Sequence, residues 1–164
     1  HLLSGGGLYS QFGWSVAIDE NYAIVGAPKY GLSDEIGRAY VYNVTTGSLV
    51  YTLSNPNPYN ASTNDNFGYS VSTSGDYAII GAPYEDNAND GSKNNSGKAY
   101  VYNITTGSLI HTLDNVNVYG DGINDNFGNS VAINDDYAIV GALAEDSSTG
   151  FNNGRAYIFN LNGI

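Results

Sequence analysis

The acidic stretch Glu85-Asp86-Asn87-Ala88-Asn89-Asp90-Gly91 sets oxygen-bearing side chains at alternate positions, the pattern by which a loop wraps a calcium ion. Asp86 and Asp90 are the ligands this reading uses. The later bidentate acid that completes such a loop is missing, so a solvated acidic loop is the expectation and Ca2+ the alternative. Asp121-Gly122-Ile123-Asn124-Asp125 is a weaker version. Arg38, Lys98 and Arg155 each stand immediately before an Ala-Tyr pair. They could form a ring of cations for an anionic or sugar ligand, but local pairing with acidic loops accounts for them more simply. The sequons at Asn43, Asn60, Asn94 and Asn103 are possible N-glycosylation sites, although Asn-x-Thr-Thr-Gly also makes a good hairpin turn without sugar. For catalysis there is little: two imidazoles, His1 and His111, no nucleophile-elbow motif, and an Asp135-Asp136 pair that a solvated turn would keep ionised. The expectation is no catalytic residue and no enzyme.

Composition narrows the class further. The net charge of −11, carried against only five cations, repels phosphate backbones and anionic lipid, which disfavours nucleic-acid and membrane-surface roles. No apolar run approaches the length of a membrane span. Cysteine is absent, which removes disulfides and thiolate metal sites. The chain opens on His1 and contains no Met, which suggests a processed product or a segment of something larger. An acidic, Asn/Gly/Thr-rich chain without Cys or Met suits an extracellular, cell-surface or virion-surface setting.

What must position these residues is a sheet structure. Val, Ile, Leu and 15 Tyr supply strand formers, while 21 Gly with abundant Asn, Asp and Ser supply turns. Strands are predicted at 14–18, 22–27, 38–43 and 48–53, again at 69–73, 77–82, 98–103 and 108–113, and finally at 129–133, 137–142 and 155–160. The three groups repeat one pattern: Phe-Gly, a run ending in Gly-Ala, then Ala-Tyr. The copies begin at Phe12, Phe67 and Phe127, 55 and 60 residues apart. A period of that length marks a blade or solenoid unit. The alternation in Ala39-Tyr40-Val41-Tyr42 puts apolar bulk on both faces, as a sheet sandwiched between neighbours requires. Gly26, Gly81 and Gly141 fall where a side chain would obstruct close approach between units.

Phe67-Gly68 followed by Gly81-Ala82-Pro83 resembles the signature of FG-GAP repeats, the blades of integrin-type β-propellers. Phe12-Gly13 with Gly26-Ala27-Pro28 matches equally, and Phe127-Gly128 with Gly141-Ala142-Leu143 departs only at the last residue. The resemblance implies an all-β fold of three four-stranded antiparallel blades, anchored by Phe12, Phe67 and Phe127. Many members carry a calcium loop between Phe-Gly and Gly-Ala-Pro. Here that stretch is a tight turn, so the resemblance is to the short variety without the loop, as in bacterial, phage and environmental surface proteins.

Copy three lacks a fourth strand, whereas His1-Leu2-Leu3-Ser4 aligns with His111-Thr112-Leu113-Asp114, the end of one. The division expected is a completing strand at 1–4 and blades at 5–55, 56–115 and 116–164, the last completed by His1, Leu2 and Leu3 in cis or in trans. Three blades make too tight a ring, since propellers have roughly four to eight. Two chains could close six blades, or chains could join into a filament by strand addition; the third possibility is a piece cut from a longer array. The function expected is therefore a structural or adhesive module whose main partner is itself. The alternative is a glycan- or protein-binding segment of a larger surface or tail-fibre protein, recognising its ligand through loops 29–37, 84–97 and 143–153, which differ most between copies.

Overall fold

A computed structural model describes residues 1–31, 35–56, 64–86, 95–116, 124–148 and 152–163. Within these residues the chain is all strand and turn. The first sheet holds β1 (Ser15–Ile18), β2 (Tyr22–Ala27), β3 (Arg38–Asn43) and β4 (Leu49–Ser54) in that spatial order. The second repeats it with β5 (Ser70–Ser74), β6 (Tyr77–Ala82), β7 (Lys98–Asn103) and β8 (Ser108–Asp114). The third has β9 (Phe127–Ile133), β10 (Tyr137–Ala142) and β11 (Arg155–Asn160). Every pairing within a sheet is antiparallel, giving three meanders of the propeller-blade kind.

Local chemistry explains the turns. Asp19 Oδ1 accepts the backbone N–H groups of Asn21 and Tyr22, both at 3.1 Å, and Asn134 Oδ1 does the same for Asp136 and Tyr137 at 3.0 and 2.7 Å. Blade 2 has no such side chain at this point and uses Gly75 at φ +55° instead. The carboxylates of the blade 3 turn have partners outside it: Asp135 Oδ1 accepts the Ser74 hydroxyl of blade 2 and Asp136 Oδ1 the Asn162 amide.

The blades stack face to face. Each has a forward face, carrying Ile24 and Val41 in blade 1, that packs on the rear face of the next. Ile24, Ala39 and Leu53 of blade 1 share one buried cluster with Phe67, Ile80 and Tyr102 of blade 2. Ile79, Ala99 and Leu113 of blade 2 share another with Phe127, Ala138 and Val140 of blade 3. The rear face of blade 1, with Val25, Ala27, Tyr40 and Tyr42, is covered by Leu3 and Phe12.

The expectation is that His1-Leu2-Leu3 complete blade 3 in cis or in trans; within the single chain they lie elsewhere. Residues 1–4 have no strand pairing and lie against blade 1. The His1 ring N–H donates to Thr45 O at 3.0 Å, and the Tyr42 hydroxyl donates to Ser4 O at 2.9 Å. A strand needs a ladder partner, and the free edge of β11 belongs to the other end of the stack.

Candidate functional site

One contact repeats at both blade junctions, and it is made mostly of backbone. Ser15 of blade 1 donates its hydroxyl to Gly68 O of blade 2 at 2.8 Å; Ser70 of blade 2 donates to Gly128 O of blade 3 at 2.7 Å. The backbone N–H of Phe67 donates to Ile36 O, and that of Phe127 to Ser96 O, at 2.9 and 3.0 Å. Gly37 and Gly97 form parallel bridges to Phe67 and Phe127. The Phe-Gly motif is therefore the part of blades 2 and 3 that the preceding blade grips. Gly68 and Gly128 adopt φ of +91° and +90°, the left-handed region that glycine enters freely. Gly26 and Gly81 abut the carbonyls of Gly68 and Gly128, leaving no room for a Cβ. Gly141, expected to play the same part, meets nothing beyond its own blade's Ser130.

Beside each grip lies a buried polar station. Asn55 donates to Asp65 Oδ2 at 2.8 Å and to Glu85 Oε2 at 3.2 Å, while the Tyr100 hydroxyl donates to Glu85 Oε1 at 2.6 Å. The second station holds Asn115 on Asp125 at 2.8 Å and the Tyr157 hydroxyl on Glu145, with the Arg155 Nε 3.8 Å from the same carboxylate. Asp65, Glu85, Asp125 and Glu145 are all buried. Blade 1 has Ser10 and Tyr30 at the matching positions, and so no buried acid there. Sequence reasoning passed over these stations. The signal was the pentapeptide Asn-Asp-Asn-Phe-Gly, written identically at 64–68 and 124–128, whose outer two asparagines both adopt positive φ.

The stations tune three phenols. Burial, and next the Glu85 charge, holds Tyr100 and Tyr102 well above the ordinary phenol range. Burial, then the hydrogen bond to Glu145, pushes Tyr157 up to about 12. The folded state thus keeps these protons longer than the unfolded chain, which releases them near 10.0. Their contribution to stability is complete below pH 10 and is lost as pH rises through 10 and past 12. Melting temperature should fall steeply above pH 10, and Tyr157→Phe should make that fall shallower; an unchanged slope would refute the assignment.

The other expected residues are placed as follows. Phe67 and Phe127 are fully buried and Phe12 partly so; each packs on two aromatic rings of its own blade, Tyr100 and Tyr102 in the case of Phe67. Arg38 stacks over the Tyr30 ring at 3.9 Å and Lys98 pairs with Asp114, so with Arg155 at Glu145 the three cations have separate local partners. Asp86 Oδ1 accepts the Asn95 backbone N–H at 2.9 Å. Asp90 lies outside the described residues, as do Asn60 and Asn94. Among the described residues no group of three or more His, Asp or Glu gathers to hold a metal ion. Asn43 and Asn103 accept turn N–H groups, from Thr46 at 2.8 Å and Thr106 at 2.9 Å.

A family model described as FG-GAP repeat matches residues 3–42, 57–102 and 121–159, three times along most of the chain. The chain belongs to the FG-GAP repeat family. Integrin alpha-E of Mus musculus is 36% identical to it over 101 residues, covering 54% of this chain and 8% of the integrin's length. The chain therefore spans a small fraction of that relative. In FG-GAP terms, the Phe-Gly of the second and third repeats is the gripped element, and the Gly-Ala of the repeat before closes the strand that presses upon it. No helix among the described residues is long and apolar enough to cross a membrane.

Proposed function

We propose that this FG-GAP array is a non-enzymatic, extracellular structural or adhesive module that assembles with itself by strand completion between subunits. The observation that carries this reading is the seat of residues 1–4. Leu3 packs with Phe12 against the cluster that holds Tyr42 of blade 1, as Leu53 shares a cluster with Tyr102 and Phe67 of blade 2. Tyr42 donates to Ser4 O as Tyr102 donates to Ser54 O. Residues 3 and 4 thus occupy, against blade 1, the place where the outer strand of a preceding blade ends. Blade 3 has three strands among the described residues and offers β11 as an unpaired edge. A blade 3 set before blade 1 of a second copy would find its fourth strand's end already in position. Light scattering of the purified chain should give a mass of two or more chains, and deleting residues 1–4 should return it to one. Assembly that survives the deletion would sink the strand-completion mechanism.

A second reading rests on the end of the stack that carries the long inter-strand loops. Trp14, half exposed, lies tilted against Tyr69 with ring centroids 5.4 Å apart, and Tyr69 meets Tyr84 edge-on at 6.0 Å. An aromatic run of this kind suits the apolar face of a sugar ring. Failure of the chain to retain any glycan on an array, or equal retention by Trp14→Ala, would remove this reading.

A further inference from the structure

We propose that the contact between copies reproduces the internal blade junction, with the forward face of blade 3 of one copy seated on the rear face of blade 1 of a second. This inference rests on the self-assembly reading and specifies its interface, polarity and register.

The two faces left open carry the two halves of the internal junction. On blade 3, Ile139 is 41% and Ile158 71% exposed, whereas their counterparts Ile24, Ile79, Val41 and Val101 are at 0%. Ala156 is exposed where Ala39 and Ala99 are fully buried. Tyr137, Ile139 and Ile158 line an open groove of about 470 Å³ on this face. On blade 1, Val16 and Ile18 are exposed at 69% and 68%. Their neighbours frame a groove of about 160 Å³ lined by Leu3, Ile18, Ala23 and Tyr42.

That smaller groove is the receptacle for one residue. Inside the chain, Ile24 packs into the cluster that holds Leu53, Ala78 and Tyr102 of the next junction; Ile79 packs with Leu113, Ala138 and Phe159. Leu3, Ala23 and Tyr42 are the counterparts of these walls, and Ile139 is the counterpart of the residue that fills them. An isoleucine without a hole and a hole without an isoleucine stand at opposite ends of one molecule.

The polar half of the junction is complementary in the same sense. Gly13 has φ +95°, matching Gly68 and Gly128, yet a Cβ there would meet nothing within 4 Å. Its two counterparts are pressed against the Arg38 and Lys98 carbonyls. In the assembled junction Gly13 lies on the Arg155 carbonyl, and its own carbonyl receives the Ser130 hydroxyl. Gly141 provides the clearance, and the Phe12 N–H donates to Asn153 O. The strand register follows from Ala39↔Leu53 and Ala99↔Leu113: Ala156 of one copy stands opposite Leu3 of the other. Such an interface is heterologous, so successive copies add head to tail until the rotation closes or a filament grows.

The absence of cysteine makes the test clean. In the double variant Leu3→Cys/Ala156→Cys, mild oxidation should give covalent multimers on a non-reducing gel, because directly opposed strand residues lie within disulfide reach. The pair Ala39→Cys/Leu53→Cys should link within one chain and run as a monomer. In parallel, Ile139→Glu should raise the concentration needed for half-assembly at least tenfold while leaving the single chain's melting temperature unchanged. Multimers by light scattering without the 3–156 link between chains would overturn this interface and leave self-assembly standing. A link formed within one chain would show closure in cis and overturn it as well. A protein that stays monomeric at every concentration would end both proposals.

Discussion

Replacing Gly81 by valine lowers the melting temperature by about 6–12 °C, the shift that a loss of about 3 kcal/mol produces in a chain of this size. A Cβ at position 81 would sit 2.9 Å from the carbonyl carbon of Gly128 and closer still to its oxygen. Both are backbone atoms, and Gly128 is held at φ +90° with its oxygen bonded to the Ser70 hydroxyl. The only relief is to part blades 2 and 3, which exposes the apolar cluster between them. Gly141→Val is the matched comparison. A Cβ there would press on the Ser130 hydroxyl, which can rotate away, and the next atoms are at 3.7 Å. Read on the single chain, below the concentration at which copies assemble, its melting shift should stay within about 2 °C, as for a substitution that buries no strain. Thermal unfolding followed by circular dichroism reads both. Equal shifts at positions 81 and 141 would mean that the inter-blade approach does not explain these glycines.

The second large effect falls on the anchors. Phe67→Ala and Phe127→Ala each remove a fully buried ring from between two blades, a change that costs about 3–5 kcal/mol through lost transfer energy and the cavity left behind. Phe12 is only partly covered, because residues 1–4 stand in for the preceding blade on that side. In the single, unassembled chain Phe12→Ala should therefore cost clearly less. Urea unfolding at constant m-value gives the three numbers directly. A Phe12→Ala variant as unstable as Phe67→Ala would show that the short terminal segment buries as much as a whole blade.

Much of this architecture was readable beforehand, and the reasons are local. Tyr-Ala-Ile-Val-Gly-Ala and Arg-Ala-Tyr-Val-Tyr-Asn are apolar or alternating runs closed by turn residues, so β2, β3 and their repeats begin and end where the pattern changes. Phe127-Gly128 escaped inclusion in β9 because its pairing with Ala142 comes after a register shift that no alternation reveals. The alignment of His1–Ser4 with His111–Asp114 sets Leu3 beside Leu113 in the sequence. Which blade Leu3 lies on was not legible there, because that depends on tertiary placement. The seryl grips at Ser15 and Ser70 were invisible for a different reason: their acceptors are main-chain carbonyls, and a carbonyl leaves no trace in the letters of a sequence. Asp65 belongs to no motif read from the sequence and Asp125 only to the weak acidic stretch 121–125, yet both are buried beneath the amides of Asn55 and Asn115.

A junction made from glycine carbonyls, one serine hydroxyl and backbone N–H groups asks little of the particular side chains around it. When such a unit is duplicated within a gene, the new copy already fits both neighbours, with no period of matched mutation on either side. Selection is then free to vary what lies outside the grip, as in the unlike segments after Ala27, Ala82 and Ala142. The Phe-Gly contact is in this sense a standard coupling: it lets arrays lengthen, shorten and exchange units by recombination while the surfaces they present diverge.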